Sequence, residues 1–357
     1  MSGAATGRLE TLDGLRGLAA LVVVVSHCAN AGYLPRALGA GFGQMGVGIF
    51  YVLSGFLMSH LYLHGQPDAA AMRRYLVARL TRVLPLFHLV LALSLLGFAV
   101  SGVSVYGVAT WPGILRNAFL LHGSTILWSV PVEVQYYLLF LLIWRAWQGG
   151  WHGRALAGLV VGQAALAVAI FVTLRETALL PFWLHYFLFG HLLSLAVARG
   201  VLAGVASHPA ARRLAWGAVV LLPLAPPMVR GLLGVPVLPI FADPVSAGYP
   251  ALIMALALTG AGPFRALAWP GLRWLGRISF GIYLLHWPVL ALAPLLPDPV
   301  EALPGAVFVL VLLVTAGLAE IAWRLVEHPA QGLLRPWLDE ALAPRQGRAA
   351  QRTAGAR

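Results

Sequence analysis

The sequence predicts an all-α fold: a polytopic membrane helical bundle of about ten transmembrane helices, with both termini on the cytoplasmic side. Three observations predict it. Hydrophobic residues make up 60% of the 357 positions and charged residues only 10%, too few to clothe a water-facing surface of that size. Apolar runs near the ~20 residues that a bilayer crossing requires recur along the chain. Arginine supplies all 24 basic residues, and these sort to alternate sides of the apolar runs.

The runs lie near 13–32, 45–64, 80–101, 126–147, 155–174, 180–198, 214–230, 246–263, 278–296 and 303–324. A shorter stretch, Trp111 to His122, reads as an interfacial or re-entrant piece. With the N-terminus inside, 20 arginines fall on the inner side, and only Arg36, Arg116, Arg175 and Arg230 fall on the outer side. Positive residues near span ends keep their side cytoplasmic. The net charge of +12 is therefore topological, and it points to a lipid bilayer and away from a nucleic-acid partner.

Met1 to Glu10 carries neither an apolar core nor a small-residue cleavage site, so no removable signal peptide is expected. Residues 1–340 are expected to form one membrane domain, and 341–357, rich in Ala, Gly, Gln and Arg, a disordered cytoplasmic tail. A lone Cys28 offers no disulfide framework and no cysteine metal cluster, and no metal is expected. It neighbours His27 but points about 100° away on a helix, against a Cys–His nucleophilic pair.

The polar residues inside the spans carry the functional information. In the first span Arg16 and His27 are 11 residues apart, close to three helical turns, which places them on one face roughly 16 Å apart. Ionisable groups are costly in hydrocarbon, so such a stripe faces a protein interior or a wet cavity. Asp13, three residues before Arg16, is placed for an ion pair, and the flanking Gly14 and Gly17 would admit a neighbouring helix or a ligand. In the third span Arg79 and Arg82 share a face near its inner end, just before Pro85. A guanidinium offers planar, bidentate, permanently charged donors that suit phosphate oxygens, whereas Arg73 and Arg74 read as positive-inside anchors.

The second span carries Tyr51 and Ser54 near mid-membrane, between glycines at 46, 48 and 55 that suit helix packing. The fourth opens LWSVPVEVQYYLLF, with Tyr136 and Tyr137 three and four residues after Glu133 and on its face. A carboxylate there needs a partner or a proton; it suits orienting an imidazole or binding sugar hydroxyls. In the ninth span Ser279, Tyr283 and His286 fall at i, i+4 and i+7, a stripe that suits either a polar helix contact or a cavity wall. Glu320, Arg324 and Glu327 in the last span have the spacing of an ion-pair ladder at the inner rim.

Six segments, LDGLRGLAALVVVVSH, GVGIFYVLSGFLMS, RLTRVLPLF, LWSVPVEVQYYLLF, ISFGIYLLHWPV and RLVEHP, follow in order the pattern of the acyltransferase-3 family. Over nearly its whole length the chain resembles these integral membrane O-acyltransferases. The resemblance implies transfer of an acyl group, commonly acetyl from acetyl-CoA, to a hydroxyl of a carbohydrate or other acceptor, in the bacterial cytoplasmic membrane. Acyl-CoA is then a donor substrate, with no tightly bound cofactor. The resemblance also implies that His27 is the catalytic histidine and that Arg16, Arg79 and Arg82 serve the acyl-CoA side. Glu133 matches the acidic position of a W-S-x-x-x-E segment that begins at Trp128. His328 departs from the pattern, standing where a basic residue precedes the closing proline. No fused extracytoplasmic esterase-like domain is expected.

The chemistry fits. A neutral imidazole, with an unperturbed pKa near ~6.5, can receive the proton of an attacking hydroxyl; a variant route would acylate His27 first. Asp13, Tyr51, Ser54, Trp128, Tyr136, Tyr137, Ser279, Tyr283 and His286 are the remaining candidates for the substrate cavity. The alternative class is a proton-coupled transporter or flippase of a glycolipid or small metabolite, which also uses intramembrane charges. Against it, the chain shows no paired half-repeats and gathers its arginine pair at a single mouth.

Overall fold

The computed structural model describes residues 3–39, 41–174, 178–235, 243–297 and 303–342, and every regular element among them is helical. In chain order these are α1 (Gly3–Asn30), α2 (Phe42–Tyr62), α3 (Ala69–Ser101), α4 (Trp111–Ala118), α5 (Ser129–Gln148), α6 (His152–Leu174), α7 (Leu180–Ala198) and α8 (Pro209–Val220). There follow α9 (Pro227–Leu232), α10 (Pro244–Thr259), α11 (Pro270–Arg277), α12 (Ser279–Leu292), α13 (Pro304–Ala322) and α14 (Arg335–Ala341). Among the described residues, seven helical stretches are long and apolar enough to cross a membrane. Two bent pairs raise the number to nine: α10 with the 3-10 turn Gly262–Ala268, bent by 75°, and α11 with α12 and the turn after it, bent by 73°.

The predicted span at 214–230 is not one helix. α8 stops at Val220 after 12 residues, about 18 Å at 1.5 Å per residue. Pro223, Pro226 and Pro227 follow within seven residues, and a proline lacks the N–H that would continue the ladder. The segment nevertheless traverses the bundle. Arg212 and Ala215 lie beside Gly262, in the turn whose Leu267 abuts Gly14 of α1. Pro226 lies beside Gly41, which precedes α2 at the opposite end, near His27. The stretch from Arg212 to Pro226, made of α8 and the turn after it, thus runs between the two ends of the bundle, although it is too broken to count among the helices long enough to cross a membrane.

Two other boundaries differ from the sequence expectation. α3 begins at Ala69 rather than near 80, because the Asp68 side chain caps it by accepting from the Ala71 N–H at 2.7 Å. This carries Arg73 and Arg74 on an extension of the span, and the helix continues through Pro85 to end at Gly102, whose φ of 71° suits glycine. α4 is short, with Trp111 exposed and only Asn117 buried, in keeping with a non-spanning piece. The expected tail from 343 onward, with Arg345, Arg348, Arg352 and Arg357, lies outside the described residues, as does Arg175.

Glycines set the closest helix contacts. A Cβ on Gly55 of α2 would sit 2.0 Å from the Phe187 carbonyl oxygen of α7, and one on Gly190 of α7 would sit 2.0 Å from that of Val52. The two backbones touch, as small residues permit in membrane helices. The same holds around Asp13 and Arg16: a Cβ on Gly14 would meet the Leu267 oxygen at 1.7 Å, one on Gly17 the Leu272 oxygen at 2.3 Å, and one on Gly276 the Asp13 oxygen at 1.9 Å. The glycines beside Arg16 therefore admit α11 and the turn before it.

Candidate active site

Three cavities lie in series along α1, and neighbours share walls. The innermost is a mouth lined by Asp13, Arg16, Arg82, Arg273, Arg277 and Glu327, among others. Asp13 accepts from Arg16 Nη1 at 3.1 Å, which fulfils the spacing read from the sequence. Arg273 pairs with Glu10 at 3.2 Å, and Arg277 pairs with Glu320 at 3.4 Å while lying over the Trp323 ring. Arg82 forms no hydrogen bond or ion pair among the described residues, so its guanidinium is uncommitted.

The expected rim ladder forms only in part. Arg324 Nε donates to Glu320 at 2.7 Å, and Trp274 Nε1 donates to the same carboxylate at 2.9 Å. Glu327 does not join them. Residues Trp323–Glu327 form a π-helical turn, whose i→i+5 bonding shifts the side-chain register and turns Glu327 into the mouth, 4% exposed. Its Oε1 has no partner there.

The middle cavity shares Arg16, Arg82 and Ser279 with the mouth and adds Arg79, Ser54, Glu133, Tyr137, Tyr51 and Tyr283. Glu133 Oε1 accepts from Ser54 Oγ at 2.6 Å and from Tyr137 Oη at 2.8 Å. Arg79 donates to Tyr62 Oη at 3.2 Å and lies over that ring. Tyr283 is fixed at the far wall: its hydroxyl accepts from Ser129 Oγ at 2.9 Å and donates to the Ile126 carbonyl at 2.7 Å. Tyr51 donates to the Ser129 carbonyl at 3.2 Å. Tyr136 departs from expectation. One residue's rotation on α5 turns it from the cavity onto Phe187 of α7, with ring centroids 4.1 Å apart.

The outer cavity shares Val47 and Tyr283 with the middle one and is lined by His27, Asn30, Gln44, Thr125, Trp128 and Trp287, with no Asp, Glu or Arg among the described residues that line it. His27 Nδ1 lies 2.7 Å from Nε2 of His286 on α12. The Trp287 ring stands edge-on to His27 at 5.2 Å and is held by its own bond to the Val105 carbonyl at 2.8 Å. Cys28 is buried. The imidazole's side-chain partner is therefore His286. Glu133, which the sequence made a candidate orienter, faces the arginines of the middle cavity instead.

The stripe Ser279, Tyr283, His286 runs from the middle cavity to His27, linking the parts of the site along one helix. Sequence reasoning missed Asn30, Gln44, Thr125 and Trp287. Asn30, Gln44 and Thr125 sit at span ends, where polar residues are ordinary, and Trp287 lies inside the ninth span, where an aromatic residue reads as packing, so nothing singled them out. Arg273 and Arg277 flank Trp274 on a short helix that a hydropathy reading merges into the loop before α12.

The peptidoglycan O-acetyltransferase OatA of Listeria monocytogenes is 25% identical, over 90% of this chain and 55% of its own length. YrhL of Bacillus subtilis is 27% identical, over 89% of this chain and 54% of its own. The chain thus spans about half the length of these two relatives. Nodulation protein 10 of Rhizobium leguminosarum bv. viciae is 27% identical, over 92% of this chain and 95% of that protein. No solved structure matches the chain. The model of the acyltransferase domain that defines the acyltransferase-3 family matches residues 9–323, from the start of the first span to the end of the last, and the chain belongs to this family.

Proposed function

We propose that this chain is a membrane O-acyltransferase that takes an acyl group, acetyl in the simplest case, from cytoplasmic acyl-CoA. The group passes to a hydroxyl of a carbohydrate or similar neutral acceptor, with His27 as general base. The observation that carries the reading is the series of cavities: an arginine-lined mouth at one end of α1, the imidazole at the other, and a chamber between that shares walls with both. Donor phosphates would meet Arg82, Arg16 and the arginines of α11, while the thioester arm would extend past Ser54, Tyr137 and Tyr283 toward His27. Glu133 offsets the positive charge of the chamber when no donor is present. The relatives' name as O-acetyltransferases agrees with this chemistry, and the outer cavity's amides and tryptophans suit an uncharged, hydroxyl-bearing acceptor.

In the reaction the acceptor hydroxyl gives its proton to the His27 imidazole as its oxygen attacks the thioester carbonyl carbon. The tetrahedral intermediate then collapses, the C–S bond breaks, and the departing thiolate takes the proton back from the imidazolium. One ester and one CoA thiol result. Purified protein given acetyl-CoA and oligosaccharide acceptors should release CoA thiol. His27→Ala should lower turnover by about 10²-fold or more, the usual scale of general-base assistance, while Cys28→Ser stays active. A His27→Ala variant that keeps more than about a tenth of wild-type turnover would move the base elsewhere. A carrier would release no thiol at all.

A further inference from the structure

We propose that His286 is a positioning residue that holds His27 in the tautomer with the proton on Nδ1, leaving Nε2 bare as the basic atom. The proposal rests on the reading of His27 as the base and says which of its nitrogens acts.

His286 Nδ1 lies 3.1 Å from the carbonyl oxygen of Ile282, one helical turn back. A carbonyl only accepts, so Nδ1 of His286 carries the hydrogen. In a neutral imidazole the other nitrogen is then an acceptor, and Nε2 of His286 presents its lone pair to His27. The 2.7 Å contact consequently requires the hydrogen on Nδ1 of His27. A cationic His286 would reverse this arrow. It is fully buried, however, and among the described residues no carboxylate lies within hydrogen-bond reach, so an ion there would be uncompensated.

Ring geometry supports a strong bond. The planes are 6° apart and the centroids 5.0 Å apart, a separation equal to the N···N distance plus one imidazole radius at either end. The bond therefore runs in the plane of both rings and along the lone pair. His27 Nε2 faces α2, with the Cβ position of Gly43 only 3.6 Å away, and Gly43 and His27 both line the outer cavity.

The arrangement also fixes the fate of the proton. Once Nε2 has taken a proton from the acceptor, the imidazolium is bonded through Nδ1 to His286, whose own outlet is a carbonyl that cannot be protonated. The chain does not relay to water. The proton leaves by Nε2, the atom it entered by, and the departing thiolate is its acceptor.

The test is the imidazole nitrogen spectrum of the full-length protein in bilayers with 15N-labelled histidine. The His27 signals are identified by their loss in His27→Ala, which separates them from the second imidazole pair, His152 and His191 at 2.8 Å. Wild type should show a protonated Nδ1 and a bare Nε2 at His27. His286→Leu should give a mixture of tautomers and lower kcat at least ~10-fold with both KM values unchanged. Enforcing the wrong tautomer of a catalytic histidine elsewhere costs ~10⁴-fold, and leucine frees the tautomer without enforcing the wrong one. His286→Gln, whose amide oxygen can replace the Nε2 lone pair, should recover both signals and rate. A bare Nδ1 in the wild type, or His27 signals unmoved by His286→Leu, overturns the proposal. If the Leu variant fails to fold, the wild-type spectrum alone decides. Persistent turnover in His27→Ala with the expected spectrum would instead defeat the base assignment and leave the tautomer assignment standing.

Discussion

Replacing Arg82 by Lys separates a phosphate-gripping guanidinium from a charge that merely marks the cytoplasmic side. Arg82 lines both the mouth and the middle cavity and has no partner among the described residues, so all its donors are available to a ligand. A bidentate grip on a phosphate consists of two charge-assisted hydrogen bonds, each worth about 1.5–3 kcal/mol. Losing both in Arg82→Ala removes at least about 3 kcal/mol, which at 1.4 kcal/mol per decade raises the KM for acyl-CoA by roughly 100-fold. Lysine keeps the charge and one bond, so about tenfold should remain. Arg79 is already committed to the Tyr62 hydroxyl and ring, so Arg79→Lys should raise the same KM less than Arg82→Lys does. Initial-rate titrations of acetyl-CoA on correctly inserted protein, at saturating acceptor, measure all of this. Wild-type behaviour of Arg82→Lys at limiting donor, or a larger effect at Arg79, would refute the phosphate role and leave Arg82 as an anchor.

The other expectations concern the frame that carries the site. Gly55→Ala forces a methyl to within 2.0 Å of a backbone oxygen and should cost about 1–3 kcal/mol, lowering the thermal midpoint in detergent by several degrees. Gly162→Ala on α6, which meets nothing within 4 Å, should not lower it, and equal effects would contradict the close α2–α7 contact. In a Cys28→Ser background, single cysteines at Ser207 and Val235 should label with membrane-impermeant maleimide from opposite sides. Labelling from the same side would show that the segment from α8 to α9 does not cross the membrane.

Much of the bundle was legible because period and charge are one-dimensional signals. Apolar runs of bilayer length located the seven long helices and the two bent pairs among the described residues, and the alternation of arginine predicts their orientation. The run at 214–230 looked the same by hydropathy, yet three prolines between 223 and 227 broke it, an effect that averaging over a window conceals. Spacing along one helix also sufficed to put Arg16 and His27 on one face and to join Tyr137 to Glu133. It failed where the answer depended on a second helix. Nothing within α1 says that His286, 259 residues away, supplies the partner of His27, and nothing within α5 says that Tyr136 is claimed by α7. Glu327 was misassigned for a third reason: the ladder reading assumes 3.6 residues per turn, and the chain winds as a π-turn there.

The central claim is that acyl groups enter from CoA at the arginine mouth and leave through His27. Inside-out membrane vesicles containing the chain, supplied with 13C-acetyl-CoA and analysed by mass spectrometry for label in envelope glycans and for free CoA, test it directly. The account predicts label and CoA release with wild type, neither with His27→Ala, and neither when the same donor is offered to sealed right-side-out vesicles. Unconsumed acetyl-CoA in wild-type inside-out vesicles, or equal labelling by the His27→Ala protein, would contradict it.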